Sequence, residues 1–309
     1  MAKAKVSVDH SAISTGTATE TNAPTFIDHL KNAVEPTREP TGQTVAPTET
    51  PNVDSRLARI VRGKSFAPPR ALLYGTEGVG KSTLCSKTPK PIFISTEDGL
   101  GEIDCERFPQ AQSYEDVIDA LDTVVRGSHS YQTLVIDSVD WLESLVWAHV
   151  CRRNNATNIE KVGGGYAKGY GFALEEWREI LGYLNRCRDR GMAIFLIAHA
   201  KIERFEDPEN PAYDRYSPRL HKHATALLTE WVDMVLFATV KLSIQKEGDG
   251  FEKRAIAAPV GPSGGERVMR CIGSPACVAK NRYDLPAELP LSWNDLLAHM
   301  MKGRQHGIA

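Results

Sequence analysis

The sequence of 309 residues has almost no net charge: 37 basic and 39 acidic side chains leave −2. The field of the whole molecule therefore does not recruit nucleic acid, and any such contact has to come from local patches. No stretch approaches the roughly 20 apolar residues that span a bilayer, and Met1 to His10 carry no apolar export core. A cytoplasmic protein with no membrane partner is expected. The six cysteines, Cys85, Cys105, Cys151, Cys187, Cys271 and Cys277, include no Cys-x-x-Cys pair. That spacing argues against both a disulfide framework and a structural zinc site. There is no internal repeat.

What is present divides the chain into three parts. Residues 1–54 are rich in Thr, Ala, Pro and Ser, with one brief apolar cluster at Phe26, Ile27 and Leu30. Such a composition buries too little surface to offset its ordering entropy, so a disordered tail is expected. Residues 55–290 read as one α/β domain, and residues 291–309 as a C-terminal helix near Trp293 to Met301 with a polar end. Four apolar runs, 71–74, 91–95, 133–137 and 193–198, are predicted strands buried on both faces, as in a parallel sheet. Amphipathic stretches over 113–125, 141–152 and 172–190 alternate with them. After Leu227, β-branched segments separated by Gly248 to Gly250 and Pro262 to Gly265 predict hairpins that extend the sheet.

The strongest chemical signal is the run Gly75-Thr76-Glu77-Gly78-Val79-Gly80-Lys81-Ser82-Thr83, which follows a predicted strand and opens a helix. Glycines let the backbone N–H groups wrap a polyphosphate, Lys81 reaches its β- and γ-phosphates, and the Ser82 hydroxyl ligates Mg²⁺. ATP and Mg²⁺ are the expected ligands. Asp137, closing an apolar strand, is the candidate second metal-holding acid, although a strand-end aspartate also serves to cap the next helix. Glu97, just past the strand 91–95, is the candidate general base. His199, read as the end of strand 193–198, is positioned to sense the γ-phosphate.

The order of these parts resembles the RecA-like recombinase and helicase core over residues 65–285. Phe93 to Leu100 is similar to the RecA segment whose glutamate activates water, and Val135 to Val139 to its Walker B strand. His199 stands where that family has a glutamine. Lys280-Asn281-Arg282 resembles the Lys-x-Arg strand inserted into a neighbouring subunit's site, which implies that Lys280 and Arg282 act in trans within a ring or filament. Closer still, 67–75, 165–170, 227–238 and 279–286 resemble phage-encoded RecA-like ATPases of the single-strand annealing type. That resemblance implies a DNA-stimulated ATPase in the host cytoplasm, partnered by single-stranded DNA, by further copies of itself and by a single-strand-binding protein. A helicase, a helicase loader and a nucleotide-gated binding module with little turnover are the alternatives.

The family's two DNA loops correspond to 152–171 and 201–223. The first offers Arg152, Arg153, Lys161 and Lys168 with Tyr166 and Tyr170 for stacking, and its glycines suggest disorder until a ligand arrives. In the second, cations and anions balance, and its basic end with Arg219 and Lys222 is the better candidate.

Overall fold

The computed structural model describes residue 60 and residues 67–247, 254–261 and 265–305. The expectations for 1–54, for the turn at Gly248 to Gly250 and for residues 306–309 lie outside these. The central sheet is built on five parallel strands, β1 (Arg70–Gly75), β2 (Pro91–Ser95), β4 (Thr133–Asp137), β5 (Ala193–Phe205) and β7 (Met234–Val240), with the two-residue β3 (Glu106–Arg107) on one edge. Their order is β7-β1-β5-β4-β2-β3. The Asp137 strand is therefore not the neighbour of the phosphate-loop strand: β5 lies between them, pairing Gly75 with His199 and Asp137 with Ile197.

The predicted strands form because each is apolar through its centre and is covered on both faces. Alternate residues point to opposite sides. Leu72, Tyr74, Leu134, Ile136, Ile194 and Leu196 join one core, roofed by α2 (Tyr114–Arg126), α3 (Val139–Arg153) and α4 (Lys168–Asp189). Ala71, Leu73, Phe93, Val135, Phe195 and Ile197 join the other, with α1 (Lys81–Ser86) and α6 (Trp293–Gln305). The helix expected at the C-terminus is thus part of the core, with Trp293 set edge-on to Phe195 at 5.9 Å. α2 starts at Ser113, whose hydroxyl accepts from the Asp116 N–H while the Asp116 carboxylate accepts from the Ser113 N–H. This reciprocal cap fixes the helix start.

Two expectations change. Of the described strands after β7, β10 (Arg267–Arg270), β11 (Lys280–Asn281) and β12 (Glu288–Pro290) extend the main sheet, antiparallel on the β7 side. The segment after β7 instead forms a separate two-stranded sheet from β8 (Leu242–Glu247) and β9 (Arg254–Pro259). Secondly, β5 does not stop at His199. It continues to Phe205 and pairs with β6 (Tyr213–Pro218). What reads as a mixed-charge loop is a ribbon whose charges pair across strands, Glu203 with Arg215 at 3.0 Å and Arg204 with Asp214 at 3.8 Å. No helix among the described residues is long and apolar enough to cross a membrane.

Candidate functional site

All the parallel strands end on the same edge, and the loops there enclose a cavity of about 590 Å³. It is lined by the phosphate loop, Glu97, Asp137, His199, Arg219 and Arg267. The loop's shape depends on two glycines in particular. Gly80 has φ 104°, a left-handed conformation that a side chain would strain, and a Cβ on Gly75 would stand 2.1 Å from the Ala238 carbonyl. Thr76, Glu77 and Gly78 are exposed on the loop while Val79 is buried beneath it. Thr83, in the first turn of α1, reaches the cavity wall.

Lys81 is 6% exposed, and its ammonium donates to the carbonyls of Gly75 at 3.1 Å and Thr76 at 2.9 Å. Burial lowers its pKa, against the pull of Asp137 and Asp140. Ser82 Oγ donates to Asp137 Oδ2 at 2.5 Å. The two predicted metal ligands therefore meet although 55 residues separate them. Burial pushes the Asp137 carboxyl up to about 6; the Ser82 hydrogen bond opposes this and the Glu97 charge adds to it. Two hard oxygen donors on a carboxylate and a hydroxyl, beside a lysine and a glycine-built cradle, fit a Mg²⁺-polyphosphate.

β2 runs beside β4, with Ser95 opposite Asp137, and this register brings Glu97 into the cavity. A clasp that sequence reading misses holds the two strand ends together. The buried Thr96 hydroxyl donates to Ser138 O at 2.6 Å and accepts from the Ser138 N–H at 2.9 Å. The Asp137–Ser138 peptide is cis.

Asp140, in the first turn of α3, is a second residue missed from sequence. Its Oδ2 faces His199 Nδ1 at 3.0 Å and accepts from Arg219 at 2.9 Å, while Oδ1 accepts from the His199 N–H at 3.1 Å. Burial alone would raise this carboxyl; hydrogen bonds from His199 and Arg219 hold it at about 2 instead. Arg219 also reaches Glu77 at 3.4 Å. Arg219, expected on a DNA loop, thus lines this cavity. Arg267 on β10, likewise absent from the sequence reading, stands over Gly80.

The chain matches a family model described as an AAA domain over residues 67–283. The chain belongs to the AAA domain family of P-loop ATPases. It is also 25% identical over 187 residues to the SPbeta prophage-derived uncharacterized protein YorG of Bacillus subtilis (strain 168). The match covers 59% of this chain and 53% of that protein, so the chain spans about half the length of the curated relative. An AAA domain with its phosphate loop at 75–83 is built to bind nucleotide.

Other predicted residues fall outside this cavity. Lys280 and Arg282 lie at the opposite edge, where the parallel strands begin: β11 pairs with Met234 and Val235. Lys280 donates to Thr229 O at 2.6 Å and Arg282 pairs with Asp233 at 3.5 Å, so neither enters this chain's own site. In the segment 152–171, Arg152 is engaged by Glu115 and Arg153 by Glu176. Short 3-10 turns lie within Ile159–Gly164, broken at Val162 and Gly163, and Gly163, Gly164 and Gly165 take φ values of 65°, 85° and 90°. Lys161, Tyr166 and Lys168 remain exposed, and Tyr170 stacks on His221 with ring centroids 3.9 Å apart. Lys222 is exposed at the start of α5 (Lys222–Trp231).

Proposed function

We propose that this protein is an ATP hydrolase that works on single-stranded DNA in phage recombination, as a single-strand annealing ATPase. The observation that carries the ATPase half is the meeting of Ser82 and Asp137 at 2.5 Å in the cavity that Lys81, Glu97 and His199 also line. Lys81 exchanges its loop carbonyls for the β- and γ-phosphates. Ser82 and Asp137 hold Mg²⁺, which when bound neutralises charge growing on the phosphates. Glu97 orients the attacking water and accepts its proton. His199, fixed by Asp140, donates from its other ring nitrogen toward the γ-phosphate.

The DNA half is supported by Lys161, Tyr166 and Lys168, which present two cations and an aromatic ring on one exposed segment, a chemistry suited to phosphates and bases. A route to the nucleotide exists through Tyr170, which stacks on His221, two residues from Arg219. The assembly half rests on Lys280 and Arg282. Because they sit on the edge opposite the phosphate loop, completing a neighbour's site requires a head-to-tail contact, which generates a ring or a filament. Arg282 is 57% exposed and leaves only a 3.5 Å ion pair to make that contact.

One sample tests the reading: ATP turnover with and without single-stranded DNA, followed by annealing of complementary strands. Stimulated turnover with nucleotide-dependent annealing supports it; turnover with strand displacement and no annealing moves the protein to the helicases. For assembly, Lys81→Ala and Arg282→Ala, each inactive alone, regain turnover when mixed. Absence of complementation removes the trans role.

A further inference from the structure

Residues 219–221 form the turn by which the β5–β6 ribbon leads into α5, and each of the three is tied to a different group. The Arg219 N–H donates to the His199 carbonyl at 2.8 Å and its guanidinium to Asp140 at 2.9 Å. The Leu220 carbonyl accepts from Lys201 Nζ at 2.7 Å, and the His221 N–H donates to Oε2 of Glu143 at 2.9 Å. Glu143 stands three residues beyond Asp140 on α3, so both carboxyls lie on one face of that helix and grip the same turn. We propose that Glu143 is a positioning residue for ATP hydrolysis, whose carboxyl props this turn so that Arg219 stays in the nucleotide cavity. The inference deepens the hydrolase reading above and rests on it.

Glu143 is 5% exposed, and among the described residues its Oε1 has no hydrogen-bond partner. Beside it lies a cavity of about 10 Å³, walled by Trp147, Tyr170, Trp177, His221 and His223, with room for at most about one water. The charged and titratable groups that face it are Asp140 from α3, Lys201 from β5, Tyr170 from α4, and His221 and His223 at the start of α5. Burial pushes the carboxyl up to about 7; the His221 N–H and Lys201 oppose this and the Asp140 charge adds to it.

Proton linkage gives the direction of the effect. A carboxyl whose pKa is raised by folding favours its neutral form while the turn is in place. Stability from this group is complete below about pH 4.5 and is lost as pH rises through about 7. Ionised Glu143 gains by reaching water, and it reaches water by releasing the His221 N–H. Arg219 is 43% exposed. Once its guanidinium leaves Asp140 for a phosphate, its place depends on the backbone ties of the turn, and the Glu143 tie is the one that weakens near neutral pH.

The test compares turnover from pH 6 to 8.5 in the full chain and two variants. Glu143→Gln keeps an acceptor that cannot ionise, and Glu143→Met fills the space without one. Turnover of Glu143→Gln relative to wild type should be near one at pH 6 and about fivefold at pH 8.5. Glu143→Met should lose about tenfold, as Arg219→Ala does, and nothing further when the two are combined. A flat ratio across pH, an unaffected Glu143→Met, or losses that multiply in the double variant overturn the proposal. Hydrogen exchange of residues 218–223, corrected for its intrinsic rise with pH, reads the turn without activity. It should quicken toward pH 8.5 in wild type and not in Glu143→Gln; equal protection in the two proteins overturns the prop. The expected exchange difference in a wild-type chain that releases no phosphate would instead sink the hydrolase reading on which the role depends.

Discussion

His199 and Arg219 are tied twice: the Arg219 N–H donates to the His199 carbonyl at 2.8 Å, and both side chains converge on Oδ2 of Asp140. One end of this unit lines the cavity beside the phosphate loop and the other begins the Arg219-Leu220-His221 turn, whose His221 N–H donates to Glu143 at 2.9 Å. Arg219→Ala is expected to lower ATP turnover about tenfold by removing a cation from the phosphate cavity. Affinity for single-stranded DNA measured without nucleotide should not change. A loss of DNA affinity with normal turnover would return Arg219 to the DNA surface.

Asp137 gives a pH signature. Its carboxyl, raised from 3.8 to about 6, binds a proton more tightly folded than unfolded. Stability from this group is complete below about pH 4 and is lost as pH rises through about 6, a difference of about 3 kcal/mol. Asp137→Asn should therefore raise the Tm of the nucleotide-free protein at pH 8, and the gain should vanish by pH 5. Mg²⁺ competes with the same proton, so wild-type affinity for Mg²⁺-ATP should fall about tenfold per pH unit below about pH 6. Calorimetric melts and titrations across this range check both.

Thr96 aligns the strand end that carries Glu97. Thr96→Val leaves the Ser138 N–H and carbonyl without their side-chain partner, at a cost of about 1–3 kcal/mol in stability. Turnover should fall while the affinity for ATP stays near wild type, because the phosphate loop is not touched. A loss of affinity with unchanged turnover would detach Thr96 from Glu97.

On the segment proposed to meet DNA, ion pairing separates residues that are all exposed and read alike in sequence. Tyr166 is 94% exposed, whereas Arg152 and Arg153 are engaged by Glu115 and Glu176. Tyr166→Ala should weaken single-stranded DNA binding by about 1–3 kcal/mol. Arg153→Ala should chiefly lower the Tm, since it leaves the buried Glu176 without that partner. Fluorescence anisotropy with labelled oligonucleotides, beside thermal melts, distinguishes them.

The phosphate loop, Asp137 and Glu97 were legible because each is announced locally, by glycine spacing or by the end of an apolar strand. The parallel strands were legible for the same reason. Asp140, Thr96, Arg219 and Arg267 were not, since their roles arise from contacts between segments 42 to 79 residues apart or from a guanidinium folded over Gly80. The β5–β6 ribbon was hidden by its charges. Exposure alternates from Lys201 to Phe205 as it does along a strand, but the residues Lys-Ile-Glu-Arg-Phe neither run apolar nor alternate cleanly in polarity. The glycines at 163–165 take left-handed φ values, and composition alone does not tell such turns from a mobile loop.

The most direct test of the site as a hydrolytic centre is Glu97→Gln, assayed for Mg²⁺-dependent ATP binding and for phosphate release on the same sample. The expected result is binding within about threefold of wild type with turnover reduced about 100-fold or more. A Glu97→Gln protein that releases phosphate at the wild-type rate would contradict it.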